Sequence, residues 1–229
     1  MKLIFFKKSV VLAVCLMAAA GIIIGVCCGV VAASTSATVE KVIVIDAGHG
    51  GIDAGVHGTA TGAKESDVNL AIAKKLKGYF AGAGFKTVMT RNDNGGLYGL
   101  ATKGFKMRDM KKRKQIIEDN KADMVISVHQ NSCPIPSRRG ATVFFDKDSD
   151  CGKALADLIQ ASLNGMEECV RESAALVGDY YMLKCTQNPS VIVECGFMTN
   201  ADDDKLLNSD EYQDKIAYAI FKGAVSYYS

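Results

Sequence analysis

The stretch Lys41-Val42-Ile43-Val44-Ile45-Asp46-Ala47-Gly48-His49-Gly50-Gly51 runs from an apolar, β-branched segment straight into glycine and histidine. Its first six residues predict a short buried strand. The glycines that follow let the backbone turn sharply and leave room for a ligand beside His49. A second segment has the same form. Met124–Val128 is apolar, and His129 follows it in Ser127-Val128-His129-Gln130-Asn131-Ser132. In open α/β sheets, ligands bind outside the carboxyl ends of the strands. Two imidazoles delivered there from different strands can converge on one point. The third histidine, His57, sits in the loop Val56-His57-Gly58, where a solvated role is expected.

Outward from these two strands, the chain alternates in type. Ser66–Ala83 places Val68, Ile72, Leu76, Tyr79 and Phe80 at a spacing of three to four, one face of a helix, and Gly84 is a plausible stop. Phe85–Thr90 and Ala141–Phe145 predict strands. Met107–Asn120 predicts a helix, as does the region near Lys153–Leu163. Tyr181–Leu183 and Ser190–Glu194 predict further strands, and Tyr212–Tyr227 closes as a helix with Ile216, Ile220 and Val225 roughly on one side. This alternation implies a single α/β domain over residues 41–229, with helices on both faces of its sheet.

The chain has 229 residues, 48% of them hydrophobic and 23% charged, a composition too apolar for disorder. Its formal charge of +2 is a sum over two unlike parts. Lys2, Lys7 and Lys8 precede an uncharged stretch from Ser9 to Val39. Residues 34–229 hold 24 basic and 25 acidic groups, a net of −1. A domain so close to neutral is not a nucleic-acid binder by bulk electrostatics. The apolar core of the first part, Val10–Ala33, is long enough to span a hydrocarbon layer of ~30 Å as a helix. Residues 1–33 therefore predict a membrane anchor or signal segment, and 34–40 a short linker. The lysines ahead of it predict a cytoplasmic N-terminus and an external domain. Small residues at Val31-Ala32-Ala33 and Thr35-Ser36-Ala37 leave cleavage open. Beyond this segment Cys133, Cys151, Cys169, Cys185 and Cys195 form an odd set without CxxC spacing, so free thiols are expected, with one disulfide as the alternative.

Two carboxylates join the histidines. Glu65 ends the glycine-rich loop that follows His49 and opens the first helix, where a strand–loop–helix path returns it toward the strand end. Two His and one carboxylate, with a fourth position left to water, is a catalytic zinc arrangement. A helix-start carboxylate favoured by the dipole is the simpler alternative. Glu194 ends the otherwise apolar Ser190-Val191-Ile192-Val193-Glu194. A carboxylate closing a buried strand is costly unless paired, liganded or catalytic. The loop Gly48–Gly55 lacks both GxGxxG and the GK[ST] of a P-loop, which argues against phosphate binding.

Five segments together resemble the zinc-dependent N-acetylmuramoyl-L-alanine amidases of bacterial cell walls. They are His49-Gly50-Gly51-Ile52-Asp53, Glu65-Ser66-Asp67-Val68-Asn69-Leu70, Thr90-Arg91, Ser127–Ser132 and Val193-Glu194-Cys195-Gly196-Phe197-Met198-Thr199-Asn200. The resemblance implies a twisted, mostly parallel, mixed sheet of about six strands between helices. It implies that His49, Glu65 and His129 hold one zinc ion and that Glu194 is the catalytic carboxylate. The reaction implied is cleavage of the amide between N-acetylmuramic acid and the L-Ala of the peptidoglycan stem peptide. The short form with an N-terminal hydrophobic segment is most similar to spore-cortex members, implying muramic-δ-lactam maturation, sporulation and germination. Some members in spore formers act with an accessory lipoprotein, a partner the sequence leaves open. Residues 145–180 hold no long insertion of the kind that carries a self-blocking helix in other members. Gln130 and Cys195 depart from the family's commoner residues, and neither is a proposed ligand.

Arg113 matches an arginine often found on its helix in this family. Arg113, Arg91 and Asn131 are expected substrate contacts, and either arginine could instead pair with a carboxylate. Lys103–Lys114 contains seven basic residues and one acidic residue, read as a solvated helix face, with anionic wall polymer as the alternative ligand. Two rival functions remain. A zinc carboxypeptidase on the stem peptide usually shows HxxE, and here Ile52 stands three after His49. A non-catalytic peptidoglycan-binding module conflicts with all four chemical positions being His or Glu.

Overall fold

The computed structural model describes residues 40–229, so the expected membrane segment and all but the last residue of the linker lie outside the described residues. The elements are β1 Val42–Ala47, α1 Glu65–Gly82, β2 Lys86–Met89, α2 Phe105–Asp119, β3 Met124–Asn131, β4 Thr142–Phe145, α3 Asp150–Asn164, β5 Leu176–Val177, β6 Ser190–Phe197, α4 Ala201–Leu207 and α5 Asp210–Val225. Short 3-10 turns cover Tyr181–Lys184 and Ser226–Tyr228. One six-stranded sheet runs in the order β2-β1-β3-β6-β4-β5. β2, β1, β3 and β6 are mutually parallel, while β4 lies antiparallel to β6 and parallel to β5.

The central strands are apolar on both faces because both faces are covered. Alternate residues point to opposite sides. Ile43, Ile45, Ile126, Val128 and Val193 pack with Leu76 and Phe80 of α1, Leu155 and Ile159 of α3, and Ile216 and Ile220 of α5. Val44, Val125 and Ile192 pack on the other side with Ile117 of α2 and with Met182 and Leu183. Among the described residues no helix is long and apolar enough to cross a membrane. Cys133, Cys151, Cys169, Cys185 and Cys195 are all free thiols.

The expected strand Tyr181–Leu183 is a 3-10 turn instead. A short apolar run reports burial, and its period cannot separate strand from turn. Met182 and Leu183 are buried, but they fill the sheet face beside α2 rather than extending the sheet. The sixth strand is β5, whose two residues are both exposed and carry no core pattern. Helix α4 was also not expected. It is capped by Asn200, whose side chain accepts hydrogen bonds from the Asp202 and Asp203 amides.

Candidate metal centre

β1 and β3 pair in parallel with Ala47 opposite Val128, so His49 and His129 emerge at the same end of the sheet. β6 pairs with the other side of β3 and places Glu194 directly opposite His129. The loop after β1 folds back, its Val56 carbonyl accepting the Glu65 amide at 2.9 Å, so α1 starts at this same mouth. Four residues scattered over 146 positions are thereby brought together.

The imidazole rings of His49 and His129 meet edge to face, with centroids 5.0 Å apart. His49 Nε2 and His129 Nδ1 each lie 3.1 Å from the same Glu65 oxygen, Oε1. Each of the three residues offers a ligand atom within 4.8 Å of the others. The other Glu65 oxygen accepts the Val56 amide at 2.9 Å. Burial alone would raise the Glu65 pKa, but hydrogen bonding to His129 and His49 outweighs it and holds the carboxyl far below the usual range. Burial would likewise lower the His49 pKa, and Glu65 and Asp53 reverse this.

The glycines of this region set spacing rather than cradle a phosphate. A Cβ on Gly48 would stand 2.3 Å from the His129 ring. One on Gly55, at φ +68°, would stand 2.3 Å from Glu65 Oε2. His49 itself has φ +58°, a left-handed conformation uncommon outside glycine. Arg113 and Arg91 hold it there. Arg113 donates to Ala47 O at 2.7 Å and to His49 O at 2.6 Å; Arg91 donates to Ala47 O and Gly48 O, both at 2.9 Å. Arg113 also pairs with Asp46 and Asp109 at 2.6 and 2.5 Å. Both arginines are almost fully buried, with 2% and 3% exposure. They were expected to touch substrate or to pair with a carboxylate, and Arg113 does the latter. The structure gives their donors to the protein, because the loop carrying His49 presents a row of carbonyls that needs buried partners.

Glu194 stands apart from this bonding. Its Oε2 is buried without a hydrogen-bond partner. Burial raises its pKa, Glu65 adds to the rise, and the two imidazoles oppose it. The carboxylate lines a cavity of about 250 Å³ together with His49, His129, Asp53, Lys106 and the wall formed by Tyr180, Tyr181 and Met182. Asn131 lies one step further along β3, past an irregularity in the ladder, and lines a neighbouring groove instead.

The donor set fits a borderline-soft divalent metal. Tetrahedral bonds of about 2.0–2.1 Å place ligand atoms roughly 3.4 Å apart, close to the two observed separations. A third observation supports this. Asp53 Oδ2 is 3.0 Å from His49 Nδ1. A carboxylate only accepts, so Asp53 fixes a proton on Nδ1, and a metal bound in place of the Nε2 proton that now faces Glu65 would meet the Nε2 lone pair. Lys106 holds the other Asp53 oxygen at 3.1 Å. Asp53 lies in the first quoted motif, yet nothing in that spacing marks it as a partner of His49. The tight Gly50–Asp53 bridge brings it round. Asp53→Ala should weaken divalent-metal binding about 10- to 100-fold in competition with a chromophoric chelator. Unchanged affinity would remove Asp53 from this role.

The pattern of one protein family, N-acetylmuramoyl-L-alanine amidase, matches residues 43–226. The germination-specific N-acetylmuramoyl-L-alanine amidase of Bacillus subtilis is 33% identical over 195 residues, covering 82% of this chain and 80% of the relative. Among solved structures, the CwlD amidase of Clostridioides difficile, determined in complex with the GerS lipoprotein, superposes with a TM-score of 0.79 at 36% identity. That match covers 82% of this chain and 98% of the other. The catalytic domain of CwlV, an N-acetylmuramoyl-L-alanine amidase from Bacillus (Paenibacillus) polymyxa, superposes with a TM-score of 0.71 at 26% identity, covering 82% and 98%. With a fold and a sequence pattern shared over nearly all of its described residues, the chain belongs to the N-acetylmuramoyl-L-alanine amidase family and is a cell-wall amidase.

Proposed function

We propose that this amidase is zinc-dependent, with His49, Glu65 and His129 holding one ion and Glu194 as the catalytic carboxylate. One observation carries the reading: two imidazoles and a carboxylate converge within 4.8 Å beside a buried carboxylate oxygen that has no partner. When bound, zinc supplies Lewis acidity, drawing electron density from a carbonyl and making water a stronger acid. Glu194 takes the proton of the attacking water as its oxygen adds to the lactyl carbonyl carbon. It returns that proton to the nitrogen of L-Ala as the carbon–nitrogen bond breaks. Asp53 keeps His49 in one tautomer and orientation. The wall of exposed Tyr180 and Tyr181 and buried Met182 flanks the reacting atoms on one side.

The proposed catalytic domain spans residues 41–229. Residues 1–33 place it on the outer face of the cytoplasmic membrane or export it to the wall or spore-cortex space, where peptidoglycan lies. The germination-specific relative and the CwlD structure support a role in spore-cortex maturation and an accessory lipoprotein as partner.

The test uses the full chain in detergent with purified peptidoglycan. Fragments released with one zinc per chain should carry a free N-terminal L-Ala, identified by mass spectrometry. Chelation should lower release at least 100-fold and added zinc should restore it. Release of terminal D-Ala would establish a carboxypeptidase instead, and undiminished release after complete metal removal would end the zinc reading.

A further inference from the structure

Beside the metal centre lies a second depression that the chemistry above does not use. It is a groove of roughly 690 Å³, lined among others by Asn131, Arg138, Phe144, Arg171, Leu176 and Phe197. It begins where the centre ends. Asn131 is two residues beyond His129 on β3, about 7 Å along a strand. Phe144 is two residues beyond Thr142, whose register partner is Glu194.

The charge of the groove is unlike that of the domain. Residues 40–229 are net −1, yet three arginines line the groove against one carboxylate, Glu172. Arg139 is already engaged, donating to Asp202 at 2.9 Å and Asp203 at 3.1 Å. Arg138 and Arg171 are exposed, and among the described residues neither side chain has an ion pair or hydrogen bond. In the neighbouring cavity the exposed cation, Lys106, is tied to Asp53.

The scissile bond joins two chemically different halves. The glycan half carries hydroxyls and acetamido groups. The peptide half carries carboxylates beyond L-Ala. A groove that begins at Asn131, about 7 Å along the strand from His129, and is lined by unpaired guanidinium groups matches the second half. We infer that this groove is the subsite for the peptide half, with Arg138 and Arg171 pairing to the first carboxylate beyond L-Ala. The muramoyl half then lies against the tyrosine wall on the other side of the centre. This assignment rests on the amidase chemistry proposed above and adds to it a selectivity for acidic over amidated stem peptides.

The experiment compares two muramoyl-peptide fragments that differ only in a carboxylate or a carboxamide at the residue after L-Ala. The zinc-loaded full chain should favour the carboxylate fragment about 10-fold in kcat/KM, through KM, and the preference should shrink with added salt. The double variant Arg138→Gln, Arg171→Gln should lose the preference while zinc stoichiometry and kcat on the carboxamide fragment stay unchanged. Arg138→Lys with Arg171→Lys should recover part of it. Equal KM for both fragments in the unaltered chain, or a preference that survives the double variant, overturns the subsite. Hydrolysis of neither fragment overturns the amidase chemistry itself, and the subsite with it.

Discussion

Glu194→Gln should lower kcat for stem-peptide release by about 10³-fold while one zinc per chain remains bound. Gln has nearly the same shape, so the packing of β6 against β3 and β4 is preserved. It cannot take up a proton at neutral pH. The native carboxylate is buried and its Oε2 has no partner, so the substitution breaks no hydrogen bond there. Removing a buried ionisable group should leave the melting temperature unchanged or slightly higher. The combination separates a proton carrier from a ligand. If zinc and activity disappear together, Glu194 holds the metal. If activity stays within threefold of the parent chain, Glu194 is not the base.

The second large effect concerns stability. Arg113→Met should destabilise the fold by about 3–5 kcal/mol, because it leaves Asp46 and Asp109 without their buried counter-charge. Against a typical total of about 5–15 kcal/mol, this lowers the melting temperature by roughly 10 °C. Its pH dependence has a definite sign. Burial would raise the Asp46 pKa, but the Arg113 guanidinium and the hydroxyls of Ser127 and Thr90 outweigh it and hold the group at about 2. Ionised Asp46 thus contributes stability that is fully present above its ordinary value of 3.8 and fades as pH falls through about 2. In the variant, burial dominates and raises the same pKa, so acid relieves the penalty. The difference in stability between variant and parent should narrow below pH about 4, as followed by thermal unfolding. A gap independent of pH would separate Asp46 from the effect. Metal affinity should fall in the same variant, because Arg113 also holds the His49 carbonyl.

Much of the candidate centre is legible in the sequence. His49, His129 and Glu194 each end an apolar strand, and strand ends in an α/β sheet share one edge. Glu65 opens a helix, and its return to that edge follows from the strand–loop–helix path. The arginines were legible only in part. Carboxylate pairing was the open alternative to substrate contact, and Arg113 takes it with Asp46 and Asp109, but the hold of Arg91 and Arg113 on the carbonyls of Ala47, Gly48 and His49 was not visible. Arg138 and Arg171 stand in segments without periodicity, and the sequence offered no reason to pair them. Asp53 was visible as a letter in a motif but not as the acceptor for His49 Nδ1.

The sequence by itself determined the alternation of strands and helices, the apolar faces that pack them, and the two histidines and two glutamates proposed for metal binding and proton transfer. These are local properties: hydrophobic period reports burial, and residue type limits the chemistry. Only the tertiary structure decided which donors meet which acceptors. Met182 and Leu183 are buried either as strand or as turn, and their packing beside Ile117 of α2 goes with the turn. Arg113 could face substrate or a carboxylate, and the fold sets it against Asp46, Asp109 and the carbonyls of Ala47 and His49. Polar partners are chosen across long sequence separations by geometry that no local pattern carries.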